Sequence, residues 1–255
     1  MRPAPTLRAW LSDGPFTLAM SSGFFGFFAH AGALSALLDA GRSPSRVTGS
    51  SAGALVTGLF AAGVGVDAIR ARLHSLRRED FWDPSPGAGL LRGRRFRALL
   101  DELLPERELA RCAVPFAPSV FDLRALRTAV LREGDVAAAI HASCALPVLF
   151  QPVWIAGRPY SDGGIADRPG ILGAASDARV LFHHLASRSP WRREGGASMR
   201  VPARDGLVAV ATEGITRVHP FALERGMRAF AQAERAMRRA LDQDLREPVL
   251  RPLAG

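Results

Sequence analysis

A chain of 255 residues with 48% hydrophobic and 22% charged residues can bury a substantial core, which excludes an intrinsically disordered protein and fits one domain over residues 1–255. The net charge of +9 rests on Arg alone, since the sequence contains no Lys. The Arg residues are scattered, which reads first as a compositional bias and second as attraction to an anionic surface. Basic stretches without interleaved aromatics exclude a nucleic-acid partner. Cys112 and Cys144 form neither a CxxC pair nor a Cys/His cluster, so no disulfide framework, metal or cofactor is expected. That cysteine usage leans towards a cytoplasmic protein, with peripheral contact at an anionic membrane as an addition.

In chain order, Phe16–Met20 reads as a short core strand closed by Ser21-Ser22-Gly23. A helix follows from about Phe28 to Ala40, with Gly41 as its cap. The whole run from Pro15 to Ala40 resembles a signal-peptide core with Ala29-His30-Ala31 at its cleavage point. Asp13 directly before it and the interrupting glycines favour strand, loop and helix over a leader or a membrane span. A strand at Val47, a turn at Ser51 and an apolar helix over 54–62 come next. Two successive strand–loop–helix units predict a parallel, doubly wound α/β sheet.

Val66–Leu76 and Gly93–Leu104 have helical spacing, separated by Asp83-Pro84-Ser85-Pro86-Gly87. Strands are expected at Phe116–Val120 and Leu126–Leu131, a helix at Asp135–Cys144, and a hairpin over Val153–Tyr160 turning at Ala156-Gly157. Further strands at Val180–Phe182 and Leu207–Ala211 enclose Arg188–Gly206, whose Arg- and Gly-rich composition predicts a mobile loop. An amphipathic helix over Phe221–Leu245 closes the chain.

The chemistry concentrates at Gly49-Ser50-Ser51-Ala52-Gly53. Glycines two before and two after Ser51 permit a sharp strand-to-helix turn that exposes a serine nucleophile at a helix N-terminus. Small residues around a Ser also occur in ordinary turns. Gly23-Phe24-Phe25-Gly26 follows the first strand and can present consecutive N–H groups as an oxyanion hole, although a packing turn or a phosphate loop has the same composition. Its spacing does not supply the GxGxxG of a dinucleotide loop. Asp162, in Tyr160-Ser161-Asp162-Gly163-Gly164, is the best candidate base, against the bland alternative of a turn Asp.

Together these pieces resemble the patatin-like phospholipases over roughly residues 16–170. The resemblance rests on Leu18–Gly32, on Gly49–Ala54, on Ala142-Ser143-Cys144-Ala145-Leu146-Pro147 and on Asp162-Gly163-Gly164, in the family's order. It implies a three-layer α/β/α fold with a mainly parallel central sheet and hydrolysis of lipid acyl esters by a Ser–Asp dyad. Carried over by position, Ser51 is the nucleophile and Asp162 is the base that takes its proton and later activates water. Gly23, Phe24, Phe25 and Gly26 then supply the oxyanion hole, and the partner is a lipid or ester substrate. One position departs from the pattern: Phe25 stands where the family has Arg or Lys. Phe24, Phe25, Phe27 and Phe28 are candidates for an acyl pocket, with core filling the plain alternative for the last two.

Two other readings remain open. Ser51 and Asp162 could act with His183, His184 or His219 in a Ser-Asp-His esterase. Alternatively, the fold could serve an idle binding protein, for which the absent cation argues and the retained Ser51 and Asp162 argue against. Leu90–Phe96, with three Arg among apolar residues, is the candidate contact with anionic lipid, or else a solvated helix face.

Overall fold

A computed structural model describes residues 4–186 and 200–253. The elements are α1 (Leu7–Ser12), β1 (Thr17–Met20), α2 (Phe27–Asp39), β2 (Arg46–Ser50), α3 (Ala52–Ala61), α4 (Val66–Ser75), β3 (Gly89–Leu91), α5 (Arg94–Leu103) and β4 (Phe116–Asp122). They continue with β5 (Arg127–Val130), α6 (Val136–Ser143), β6 (Val148–Phe150), β7 (Val153–Ile155), β8 (Arg158–Asp162), β9 (Val180–Leu185), β10 (Leu207–Thr212), α7 (Gly226–Leu241) and β11 (Val249–Leu250).

The expected α/β architecture with a mainly parallel central sheet is present. The main sheet runs in the order β11-β10-β9-β1-β2-β4-β8-β7, with β5 also paired to β4. From β11 to β4 every pairing is parallel, whereas β5, β8 and β7 join antiparallel. The parallel strands carry nearly continuous apolar sequence because both their faces are buried. Alternation decides which face each side chain joins. Leu18, Met20, Leu181, Val208 and Val210 enter the larger core with residues of all seven helices. Ala19, Val180, Phe182, Leu207 and Ala209 point the other way, beneath Ile171, Ala174, Ala178 and Val201.

Register brings the two candidate site elements level. Ser50 at the end of β2 lies opposite Ser119 of β4, and the next residue of β4, Val120, lies opposite Asp162 of β8. The residue after Ser50 therefore emerges beside the end of β8. Because β8 runs antiparallel, its own C-terminus arrives where β2 turns into α3.

Most expected elements are found within a residue or two, and the hairpin turns at Ala156-Gly157 with φ of 47° and 73°. Four features differ. α1, caught by the Thr6 hydroxyl accepting from Ala9 N, was not read from the sequence because it spans only six residues. The β3–β6 pair and β11 are too short for a periodic signal. The last helix begins at Gly226 rather than Phe221, since Ala222 and Arg225 form a short turn first, and it ends at Leu241. Of the loop expected over Arg188–Gly206, residues 188–199 lie outside the described residues.

α2 and α7 pack tightly, with Phe230 of α7 only 1% exposed in the core and the Arg70 guanidinium 5.2 Å above its ring. Replacing Phe230 by Ala is expected to lower unfolding stability by about 3–5 kcal/mol, read from urea denaturation, because the ring leaves a cavity that neighbouring helices only partly fill.

Candidate active site

β2 delivers the chain to Ser51, which adopts φ 53° and ψ −120°, a conformation that costs an L-residue of order 1–3 kcal/mol. The turn closes only because its flanks lack side chains. A Cβ at Gly49 would lie 2.6 Å from Gly53 C, and one at Gly53 would collide with the Met20 carbonyl of the neighbouring strand. Ser51 stands at the N-cap of α3, yet its hydroxyl caps nothing. Instead Oγ donates to Asp162 Oδ2 at 2.7 Å.

Asp162 ends β8 and is 2% exposed. Its Oδ1 accepts from Gly164 N at 2.7 Å, and its own N–H donates to Ala145 O at 2.9 Å. Burial pushes the carboxyl up to about 6, while the bonds from Ser51 and Gly164 hold it down. A carboxylate of that basicity can accept a hydroxyl proton and return it near neutral pH.

Two residues quoted in the sequence without a role hold the turn in place. Ser143 Oγ accepts from Ser51 N at 2.9 Å and donates to Ser119 O at 2.7 Å. The Cys144 thiol donates to Ser51 O at 3.2 Å. Burial and the nearby Asp162 charge raise the Cys144 pKa, which keeps it a donor. Their signal in the sequence was two small polar side chains ending a helix that is apolar but for His141. Asp167 was missed altogether: it accepts from Ser119 Oγ at 2.6 Å and from Gly170 N and Leu172 N, tying the segment after Asp162 to β4.

The glycine loop lies beside this pair, for a Cβ at Gly164 would sit 2.5 Å from Ser22 Oγ. Within it Gly26 N donates to Gly23 O at 2.9 Å, so that amide is engaged in the turn itself. Among the described residues the N–H groups of Gly23, Phe24 and Phe25 have no protein acceptor. Phe25 sits at φ 53°, a left-handed residue of the kind that lets neighbouring amides converge. Its ring packs on Phe24, Phe27 and Phe81 at 4.9–5.8 Å. Phe28 is fully buried core, whereas Phe24 is 55% exposed.

The histidines go elsewhere. Ser51 donates straight to the carboxylate, with no imidazole between them. His183 is buried, its Nδ1 2.8 Å from His30 Nδ1. His30 Nε2 lies 2.7 Å from Ser21 O, which can only accept, so His30 is protonated at Nε2 and receives the proton of His183 at Nδ1. Thr212 Oγ1 completes the row, 3.3 Å from His183 Nε2. Burial holds both rings neutral, with His30 down to about 3 and His183 well below its ordinary value. His184 is buried against Phe182, and His219 is exposed, accepting from Phe221 N. Among the described residues no helix is long and apolar enough to cross a membrane.

The profile of the patatin-like phospholipases matches residues 18–175, from β1 to beyond the Asp162 turn. The chain belongs to the patatin-like phospholipase family. An uncharacterized NTE family protein of Mycobacterium tuberculosis strain H37Rv is 33% identical over 225 residues, covering 85% of this chain and 59% of that protein. A second NTE family protein, from strain CDC 1551, is 26% identical over 218 residues, covering 84% of this chain and 37% of the relative. The patatin-like chain thus spans well under two thirds of the length of these relatives. The crystal structure of VipD from Legionella pneumophila is similar in fold, with a TM-score of 0.66 at 15% identity over 89% of this chain and 67% of that one.

Two outcomes test this local architecture. Gly53→Ala is expected to unfold the chain or lower its melting temperature sharply, whereas Gly65→Ala, with nothing within 4 Å of the new Cβ, leaves melting nearly unchanged. Asp162 titrates near 6 in the folded chain and near 3.8 unfolded, so folding binds a proton and ionisation of this group destabilises the fold as pH rises through that window. Asp162→Asn is therefore expected to melt higher than wild type at pH 8, by up to about 3 kcal/mol, with the advantage vanishing near pH 4.

Proposed function

We propose that this chain is a serine lipid acyl hydrolase, a carboxylic ester hydrolase of phospholipase A type, working through a Ser51–Asp162 dyad. The observation that carries the reading is the 2.7 Å bond from the Ser51 hydroxyl to a buried carboxylate, made at a strained strand-to-helix turn. The strain serves exposure of the hydroxyl: a relaxed serine would cap α3 with the same oxygen.

In the first step Ser51 Oγ attacks the ester carbonyl carbon while its proton passes to Asp162 Oδ2. The tetrahedral oxyanion forms opposite the N–H groups of Gly23, Phe24 and Phe25, with Gly26 closing the loop that aims them. The intermediate collapses, the C–O bond to the alcohol breaks, and Asp162 returns the proton to that leaving oxygen. Water then gives a proton to Asp162, attacks the acyl-serine and releases the carboxylic acid, restoring the Ser51 hydroxyl. No cofactor enters the balance.

Support for a lipid rather than a small soluble ester comes from what borders the pair. Phe24, Leu146, Val148 and Ile165 are exposed apolar side chains, and each belongs to a segment that holds Ser51, Asp162 or the glycine loop. Such a border suits contact with an aggregated substrate at a membrane surface. Phe25 leaves no cation in the loop, so the oxyanion relies on backbone donors. A Ser-Asp-His mechanism has less support, since His183 is locked against His30 and His219 is on the surface.

A fluorophosphonate probe is expected to label wild type and not Ser51→Ala; a folded wild type that takes no label would leave the idle binding protein as the better reading. With a p-nitrophenyl acyl ester, kcat/KM should rise tenfold per pH unit at low pH and level off above about 6, following ionisation of Asp162. His219→Ala should keep that profile, while Asp162→Asn should lose activity by at least about a thousandfold.

A further inference from the structure

Leu90–Phe96 forms neither a bare surface loop nor a solvated face alone. It runs from β3 through Gly93 into the first turn of α5, and there it borders a cavity of about 310 Å³. Arg92, Arg94 and Arg97 line that cavity, together with Asp101 and, from α6, His141.

His141 is the informative member. It is 7% exposed, and its Nε2 is buried without any hydrogen-bond partner. Phe96 and Phe150 hold the ring edge-on at 5.4 and 6.1 Å, with interplanar angles of 88° and 83°. The nitrogen points at Gly93, where a Cβ would collide with it, so only glycine leaves the imidazole access to that side. Orphaned buried nitrogens are rare, and this one lies behind Gly93, itself part of the wall of a cavity lined by Arg92, Arg94 and Arg97.

The charges around it are unevenly paired. Arg97 is committed to Asp101 at 2.9 Å and Asp135 at 3.0 Å, and Arg107 adds to Asp101. Asp83 accepts from Gly93 N and Arg95 N, so the N-terminus of α5 is already capped. Among the described residues no carboxylate pairs with Arg92 or Arg94. Two guanidiniums without a carboxylate and one imidazole nitrogen without a partner thus gather at one cavity wall. A tetrahedral oxyanion has oxygens enough for all three, whereas a carboxylate offers only two in one plane. Burial and the Arg97 charge lower His141 to about 4, with Asp83 opposing them, so it waits as a neutral ring that an anion would make more basic.

We propose that the cavity between α5 and α6 binds a phosphate group through Arg92, Arg94 and His141 Nε2. The phosphate belongs to a lipid headgroup or to a soluble phosphate ester. Leu90, two residues before Arg92, is 49% exposed, and β3 pairs with β6, where Val148 is 82% exposed four residues after Cys144. The cavity is therefore joined by one short ladder to the apolar border of Ser51.

The test needs no hydrolysis, so it uses folded Ser51→Ala chain and stands apart from the dyad reading. Inorganic phosphate at millimolar concentration, followed by the imidazole resonances of His141, is expected to raise its pKa by about one unit or more. Arg92→Glu with Arg94→Glu, both at the surface, should weaken phosphate binding at least about tenfold without changing the melting temperature. Flotation with phosphatidylcholine vesicles containing phosphatidic acid separates the sources. Binding that those arginine changes abolish and free phosphate competes assigns a lipid headgroup. Phosphate binding without vesicle binding assigns a soluble ester. An unshifted His141 at 50 mM phosphate (roughly the upper end for a weak anion site), or a shift that survives the double change, would overturn the site.

Discussion

The hydrogen bond from Ser51 to Asp162 is where the whole arrangement converges, because it joins the ends of two strands separated by β4. β2 and β4 are parallel, whereas β8 returns antiparallel, and that reversal brings a strand's carboxyl end beside a strand-to-helix turn. A shift of one residue in either ladder would turn Asp162 to the opposite face of the sheet. The bond is therefore a reporter of register. Ser119 guards that register from both sides, since its carbonyl accepts from Ser143 and its hydroxyl donates to Asp167.

Unfavourable features gather at this point and are held by their surroundings. Ser51 is strained, and Asp162 is a buried carboxylate whose pKa is raised. Ser143 and Cys144 grip the Ser51 peptide from both ends, and Gly164 donates to the carboxylate. Gly49 and Gly53 leave the clearance without which the turn could not close. Local instability concentrated on a rigid parallel sheet is the usual physical arrangement of a reacting site.

Beneath the glycine loop, the row Thr212–His183–His30–Ser21 ties β10, β9 and α2 to the end of β1. Two neutral rings with fixed tautomers satisfy one another there at no cost in buried charge. The positive charge of the chain lies elsewhere, partly in surface Arg–carboxylate pairs such as Arg97–Asp101, while Arg92 and Arg94 line the cavity beside His141 with no carboxylate paired to them among the described residues.

By itself the sequence determined the class of fold and singled out Ser51 and Asp162, because each leaves a local mark. Apolar runs bounded by Gly and Pro mark strands and helices, Gly49 and Gly53 mark a turn without room for Cβ, and Gly163-Gly164 marks the turn after Asp162. Those marks depend on neighbours within a few residues. What only tertiary structure decided depends on residues far apart in the chain. Ser143 and Cys144 reach Ser51 across 92 and 93 positions, His183 meets His30 across 153, and His141 faces the Arg92 cavity from another helix. A hydroxyl, thiol or imidazole has many possible partners within an unfolded chain, and only the packed sheet, by fixing register and facing, selects one.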